Sequence, residues 1–431
     1  MGQWGVVAKS PATGIGYSYY PTIWEDSGKI YCKAQGEYDI NVYDIVTDTW
    51  SLLLNTASSD SGYLGNNNIQ YAMFRSAASR ADLMWTYGNF IYVLGPQIVD
   101  TSNTGRMCLI KYNITTKIKV SSTLHANLST NMTISNSSYV KGDWAHNRHK
   151  AVVKDTESGR IFLINFYLKQ IYEFITASDT FTLVKTWTET FGSRSTDDAA
   201  GCDAVCLNGK IYLLGKHSYN DTGGGTSGPV EITIADWTTV TKTIYPDYGS
   251  LSPYTYKFYS DTIWFTIGNN IYGYGGRMCS ATVADFSGTN AASGNILRKI
   301  MFNPSTNIWT DLGIIGSSLL YAPSISYSGK SYIIAGYEAG SVSQSTRSFE
   351  YILEAPSSFT STYNPILQRV ELSWVDNSAE ESYYIITRKR DDENVYTQIA
   401  NLPADTLTYN DTDIDISSHF YSYKVWCEKV L

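Results

Sequence analysis

Gly209-Lys210-Ile211-Tyr212-Leu213-Leu214-Gly215 carries the pattern that decides the fold. A turn glycine and a polar residue lead into a β-branched and aromatic run, and a second glycine stops it. Such residues suit a pleated, half-buried surface, while glycine supplies the tight dihedrals of a hairpin, so the stretch reads as a strand leaving a turn. The same lead-in stands at Gly28-Lys29-Ile30-Tyr31 and Gly159-Arg160-Ile161-Phe162. Looser copies are Gly88-Asn89-Phe90-Ile91-Tyr92, Gly268-Asn269-Asn270-Ile271-Tyr272 and Gly329-Lys330-Ser331-Tyr332. From Ile30 through Ile91, Ile161, Ile211 and Ile271 to Ser331 the steps are 61, 70, 50, 60 and 60 residues. A near-constant period means stacked or radial copies of one unit that cannot bury its apolar face alone. No helical period is sustained over three turns, so the class is all-β.

A second element follows in several copies. Tyr43-Asp44-Ile45-Val46-Thr47-Asp48-Thr49-Trp50 matches Phe174 to Phe181 and Phe302 to Trp309, each with two aromatics seven residues apart around a Thr/Ser and Asp/Asn centre. Those short polar side chains bond the local backbone, so the centre predicts a second hairpin. On these motifs the chain resembles the kelch repeat, the four-stranded blade of a β-propeller, over residues 1–353. The resemblance implies a six-bladed kelch-like propeller. Gly275-Gly276 keeps the double glycine of that family, the other copies keep one or none, and Lys119 stands where the second blade would place its outer Trp. The sixth copy has Phe349-Glu350-Tyr351 but no following aromatic strand. Met1 to Val7, with Trp4, reads as that missing outer strand and predicts that the N-terminus closes the last blade, which covers edges that would otherwise aggregate.

The texture changes over residues 354–431. Val370-Glu371-Leu372-Ser373-Trp374, Tyr383 to Arg390, Tyr396 to Leu402, Thr408 to Thr412 and Phe420 to Cys427 read as strands joined by short polar turns. With Trp374 and the alternating Tyr421, Tyr423 and Val425, this stretch resembles a bacterial fibronectin type III domain. That fold places one more strand after the Tyr-x-Tyr-x-Val strand, and the sequence stops at Leu431, so a β-sandwich lacking its last strand is expected. Phe420, Tyr421, Tyr423, Val425 and Cys427 would then lie on an open edge suited to a strand from another chain.

Composition narrows function. The 40 acidic against 32 basic residues give a net charge of -8, without the basic field that a phosphate backbone requires, so no nucleic acid partner is expected. Met1 to Lys9 lacks the pattern of a secretory signal, and the longest apolar run, Ile161 to Leu168, is too short to span a bilayer, so no membrane insertion is expected. Six scattered cysteines read as buried free thiols. Tyr outnumbers Phe 35 to 14, which supplies rings with a polar handle for wet binding surfaces, with Tyr63, Tyr219 and Tyr248 as loop candidates.

No motif compels a reaction. His146 and His149 read as solvated loop histidines, Cys202 and Cys206 as core thiols, and the acids Asp197-Asp198 and Asp411-Thr412-Asp413 as solvated turn residues rather than calcium ligands. Neither cofactor nor metal is assigned. An acidic, Tyr-, Asn- and Thr-rich chain joining kelch blades to such a sandwich looks like a non-enzymatic bacteriophage virion protein of tail, fibre or appendage. It would be assembled in the bacterial cytoplasm, with other virion proteins or copies of itself as partners and a host-surface glycan or receptor as possible target. The competing readings are a galactose-oxidase-like copper enzyme, a secreted carbohydrate-binding protein, and a cytoplasmic kelch adaptor.

Overall fold

The computed structural model describes residues 3–11, 21–33, 39–55, 83–98, 104–125, 128, 132–134, 140–141, 150–166, 168–188, 203–215, 228–243, 258–260, 262–279, 294–295, 298–315, 319–320, 322–338, 341–342, 345–352, 356–377, 381–393 and 395–428. No α-helix occurs among them. The chain divides into two compact units, Ala8–Ser348 and Met1–Val7 with Phe349–Leu431.

In the larger unit each turn glycine of the sequence repeat opens the second strand of an antiparallel sheet. Asp26 pairs with Lys29, Leu207 with Lys210 and Tyr327 with Lys330, which leaves two-residue turns at Ser27-Gly28, Asn208-Gly209 and Ser328-Gly329. Both turn residues have positive φ in all three, the mark of a type I′ turn whose twist matches the flanking strands. Gly88-Asn89 and Gly268-Asn269 differ because glycine has moved to the first turn position and only it has positive φ. Two of the three looser copies are therefore a second solution to the same hairpin, while Gly329 keeps the first.

The second hairpins also form as read. Tyr43 lies opposite Trp50, Phe174 opposite Phe181 and Phe302 opposite Trp309, with ring centroids 5.2, 5.4 and 4.7 Å apart. Asp44 Oδ1 accepts the backbone N–H groups of Val46 and Thr47, and Asn303 Oδ1 those of Ser305 and Thr306, so the acid or amide at the strand end folds the turn. In the second sheet Lys119 does occupy the outer aromatic position, opposite Tyr112.

Among the described residues, beside two short three-stranded sheets, five sheets are four-stranded and one is six-stranded. Their first strands, Thr22–Asp26, Leu83–Tyr87, Lys150–Lys154, Asp203–Leu207, Ile263–Ile267 and Ser324–Tyr327, adjoin one another in sequence order, and the last adjoins the first. The result is a propeller-like ring. Apolar clusters lie between the faces of neighbouring sheets: Ala151, Phe162 and Ile164 meet Ala204, Ile211 and Leu213, while Ile23, Ile30 and Cys32 meet Tyr332 and Ile334 across the point where the ring closes.

A recurring tie links three of the sheets to their predecessors. The Asp or Asn with positive φ in the outer hairpin turns back: Asp179 accepts from Tyr92 Oη at 3.0 Å and Lys111 Nζ at 2.9 Å, and Asn307 Oδ1 from Thr243 N at 3.0 Å. Asp48, the same position in the first sheet, accepts Ser10 N at 2.9 Å. Likewise Trp309 Nε1 donates to Thr243 O and Trp50 Nε1 to Ser10 O. Ser10 thus serves the first sheet as Thr243 serves the fifth. Consistently, the N-terminal strand Gln3–Lys9 is the outermost of the sheet containing Ser324–Tyr327, Lys330–Ile334 and Thr346–Ile352. The Trp4 side chain lies outside the described residues.

The smaller unit holds two three-stranded antiparallel sheets. Ser357–Asn364, Arg369–Val375 and Thr408–Asp411 make one; Thr397–Pro403, Tyr383–Arg390 and Tyr421–Glu428 make the other. Val370, Leu372 and Trp374 from the first pack on Tyr384 and Ile386 from the second.

Candidate functional site

Two places in the fold have the chemistry of a site. The first is the channel along the inner strands of the ring, a cavity of about 340 Å³. Inner strands have one free edge each, and side chains of the neighbouring sheet reach several of them. Ser324 Oγ donates to Trp264 O at 2.8 Å, Thr266 N donates to Ser326 Oγ at 3.2 Å, and Thr86 Oγ1 donates to Asp26 Oδ2 at 2.9 Å. Among the described lining residues there is no histidine or tyrosine; the side-chain polar groups are carboxylates, lysine amines, hydroxyls, the Cys206 thiol and the indole N–H groups of Trp24 and Trp264.

Asp203 is the unusual member. It opens its inner strand, accepts Ala204 N at 2.8 Å, and burial in the channel pushes its carboxyl up to about 7 against the modest pull of that hydrogen bond. Glu25 is shifted the same way, by burial above all. Lys150, buried at the start of the adjacent inner strand, and the exposed Lys154 supply positive charge to the lining. The channel offers a small polar ligand hydrogen bonds and a titratable carboxyl.

The second place is the edge of the smaller unit. All eight residues of Tyr421–Glu428 pair with Tyr383–Arg390, and the strand is the last of its sheet: its far side adjoins no strand among the described residues. Tyr421, Tyr423, Val425 and Cys427 turn inward by the two-residue period, yet each is only half-buried, whereas Tyr384 and Ile386 on the adjacent strand are fully buried. Ser422, Lys424 and Trp426 face outward, and Phe420, just before the strand, is 83% exposed. The inward row is anchored by polar ties. Tyr423 Oη donates to Asp411 Oδ2 at 2.8 Å, and Arg388 Nη1 reaches both Asp411 oxygens, at 3.1 and 3.0 Å, while its guanidinium lies over the Tyr421 ring.

That network corrects one sequence reading. Asp411 is not a solvated turn acid: it is 2% exposed and neutralised by Arg388, so the Asp411-Thr412-Asp413 stretch is an ion-pair anchor. Cys206 is free and partly buried, with Sγ 3.9 Å from Asp155 Oδ1 and its thiol pushed up by burial. Cys32 and Cys108 are buried in the core. Tyr63, Tyr219, Tyr248, His146, His149, Cys202 and Asp197-Asp198 lie outside the described residues. Asp203 lies between Cys202 and Cys206 and no sequence signal marks it, since only its place in the ring distinguishes it from any other strand aspartate.

No protein-family model matches the chain. No curated protein matches it. Among solved structures it is similar to one titled "Structure of YjhT", at 12% identity and a TM-score of 0.50, covering 78% of this chain and 95% of that one. At that identity the likeness is one of fold, and it supports a β-propeller-like, all-β architecture. Among the described residues no helix is long and apolar enough to cross a membrane.

Proposed function

We propose that this chain is a non-enzymatic binding and assembly protein of a bacteriophage particle. In this reading the ring is a six-bladed kelch-like propeller over residues 1–353, and residues 354–431 are a fibronectin type III-like sandwich. The observation that carries the proposal is the Tyr421–Glu428 strand, with one side joined to no strand among the described residues and an inward row only half covered. Natural proteins rarely leave such an edge bare, and strand addition by a neighbour satisfies its backbone while completing the core beneath. Net charge and the Tyr-rich composition agree with a role at wet protein or glycan surfaces. The virion assignment rests on composition and architecture together, and fold alone does not fix function. Glycan or receptor binding would fall to the loops between blades, where Tyr63, Tyr219 and Tyr248 lie.

A structure of the assembled particle tests this directly. The expected result is a strand of another virion protein, or of a second copy, paired beside Tyr421 to Trp426. Water, or this chain's own residues, along that whole edge would refute strand addition, and stoichiometric copper with oxidase turnover on sugars would refute the non-enzymatic reading.

A further inference from the structure

The smaller unit holds a group of acids that the sequence does not bring together. Asp376 follows the strand Arg369–Val375, Glu381 precedes Tyr383–Arg390, and Asp405 follows Thr397–Pro403. Two loops therefore converge, and one carboxylate oxygen from each acid lies within 4.8 Å of the others. Asp405 is exposed, Asp376 half-buried, and Glu381 only 6% exposed. Glu381 Oε1 has donors, Asp405 N at 3.1 Å and Tyr384 Oη at 3.5 Å. Glu381 Oε2 is buried and has no hydrogen-bond partner among the described residues. A buried carboxylate oxygen without a donor is costly, and two further acids close to the same side chain raise that cost unless a cation sits among them.

We propose that Asp376, Glu381 and Asp405 bind a calcium ion. The donor set is all oxygen and triply acidic, which selects a hard divalent cation over the softer metals that want imidazole or thiolate. Calcium takes its oxygen ligands at roughly 2.4 Å in a flexible shell, which suits acids carried on two loops, whereas magnesium demands a tighter and more rigid octahedron. The exposed side of Asp405 leaves room for waters to complete the shell. The ion would pin the two loops together at one end of the sandwich. The other acidic group of this unit, Asp391, Asp392 and His419, is unlike it: its acids are exposed, and Arg390 already lies 3.3 Å from Asp392.

Terbium luminescence on the full chain is the test, because terbium replaces calcium on oxygen sites and the Tyr384 ring, beside the cluster and 5.5 Å from the Trp374 ring, would sensitise it. Terbium emission under ultraviolet excitation should be displaced by calcium but not by equal magnesium, and Asp405→Asn should lose the calcium-displaceable signal. The unfolding temperature should rise with calcium concentration in the parent chain and not in Asp405→Asn, as expected for a ligand that binds only the folded state. Asp405 is exposed, so this variant folds; Glu381→Gln, made alongside it, should show the same loss. Calcium-displaceable emission that survives unchanged in both variants, or no calcium-displaceable emission in the parent, would overturn the site.

Discussion

The inner strands of the ring and the strand Tyr421–Glu428 face one physical problem and meet it differently. Each is the last strand of a sheet and presents a row of backbone groups on one side. In the ring, the next sheet supplies the answer: Ser324, Ser326 and Thr86 reach across to Trp264 O, Thr266 N and Asp26, and apolar faces on both sides seal each strand in place. Tyr421–Glu428 has no such neighbour among the described residues, and its inward side chains stay half covered. Circular repetition supplies the inner strands with neighbours from the same chain; a two-sheet sandwich does not, which is why the proposed strand addition falls at its edge.

The sharpest way to break this contrast is to weaken a ring interface and compare it with the edge. Trp264, 2% exposed, packs against Trp309 at 6.2 Å beside Tyr212 and Phe302, and Trp264→Ala should cost on the order of 3–5 kcal/mol in denaturant unfolding. A cost below about 1 kcal/mol would show that the sheets are not held by these faces.

Asp203 tests the channel. Burial raises its carboxyl from the ordinary 3.8 to about 7, so the folded state keeps a proton that the unfolded chain has released. Stability therefore falls as pH rises across that window and levels off above it. Asp203→Asn keeps the acceptor for Ala204 N and should abolish this slope, leaving the variant more stable at roughly pH 8 by on the order of 2–4 kcal/mol. Equal pH dependence in the two proteins, followed by thermal unfolding, would mean that the channel is more open to water than its walls imply.

Ser324→Ala removes one tie between inner strands and should cost about 1 kcal/mol, read as faster amide exchange near Trp264. Trp426→Ala, on the outward row of the open edge, should shift stability of the isolated chain by no more than about 0.5 kcal/mol, and yet reduce incorporation into particles if strand addition occurs there. A variant that incorporates normally would move the docking contact elsewhere.

Much of the ring was legible because its determinants are local. A glycine at a turn, an acid or amide that folds the outer hairpin and two aromatics seven residues apart each act within eight residues, and each recurs. The N-terminal strand was legible for a related reason: one repeat lacked a part, and Met1 to Val7 resembled it. The ties that bind Asp48 to Ser10 and Asp179 to Lys111 were not readable, since they cross between sheets. Nor was the role of Asp411, whose partner Arg388 comes from the opposite sheet.

By itself the sequence determined the all-β class, the hairpins, their repetition and the change of texture near Ala355, because turn dihedrals and strand periodicity are properties of neighbouring residues. Only the tertiary structure decided which acids meet. Asp203 becomes a group that titrates near neutrality, and Asp376, Glu381 and Asp405 become a cation site, through burial and through distances between loops far apart in the chain. Desolvation and Coulomb forces depend on what surrounds a charge in space, and no spacing along the chain encodes that.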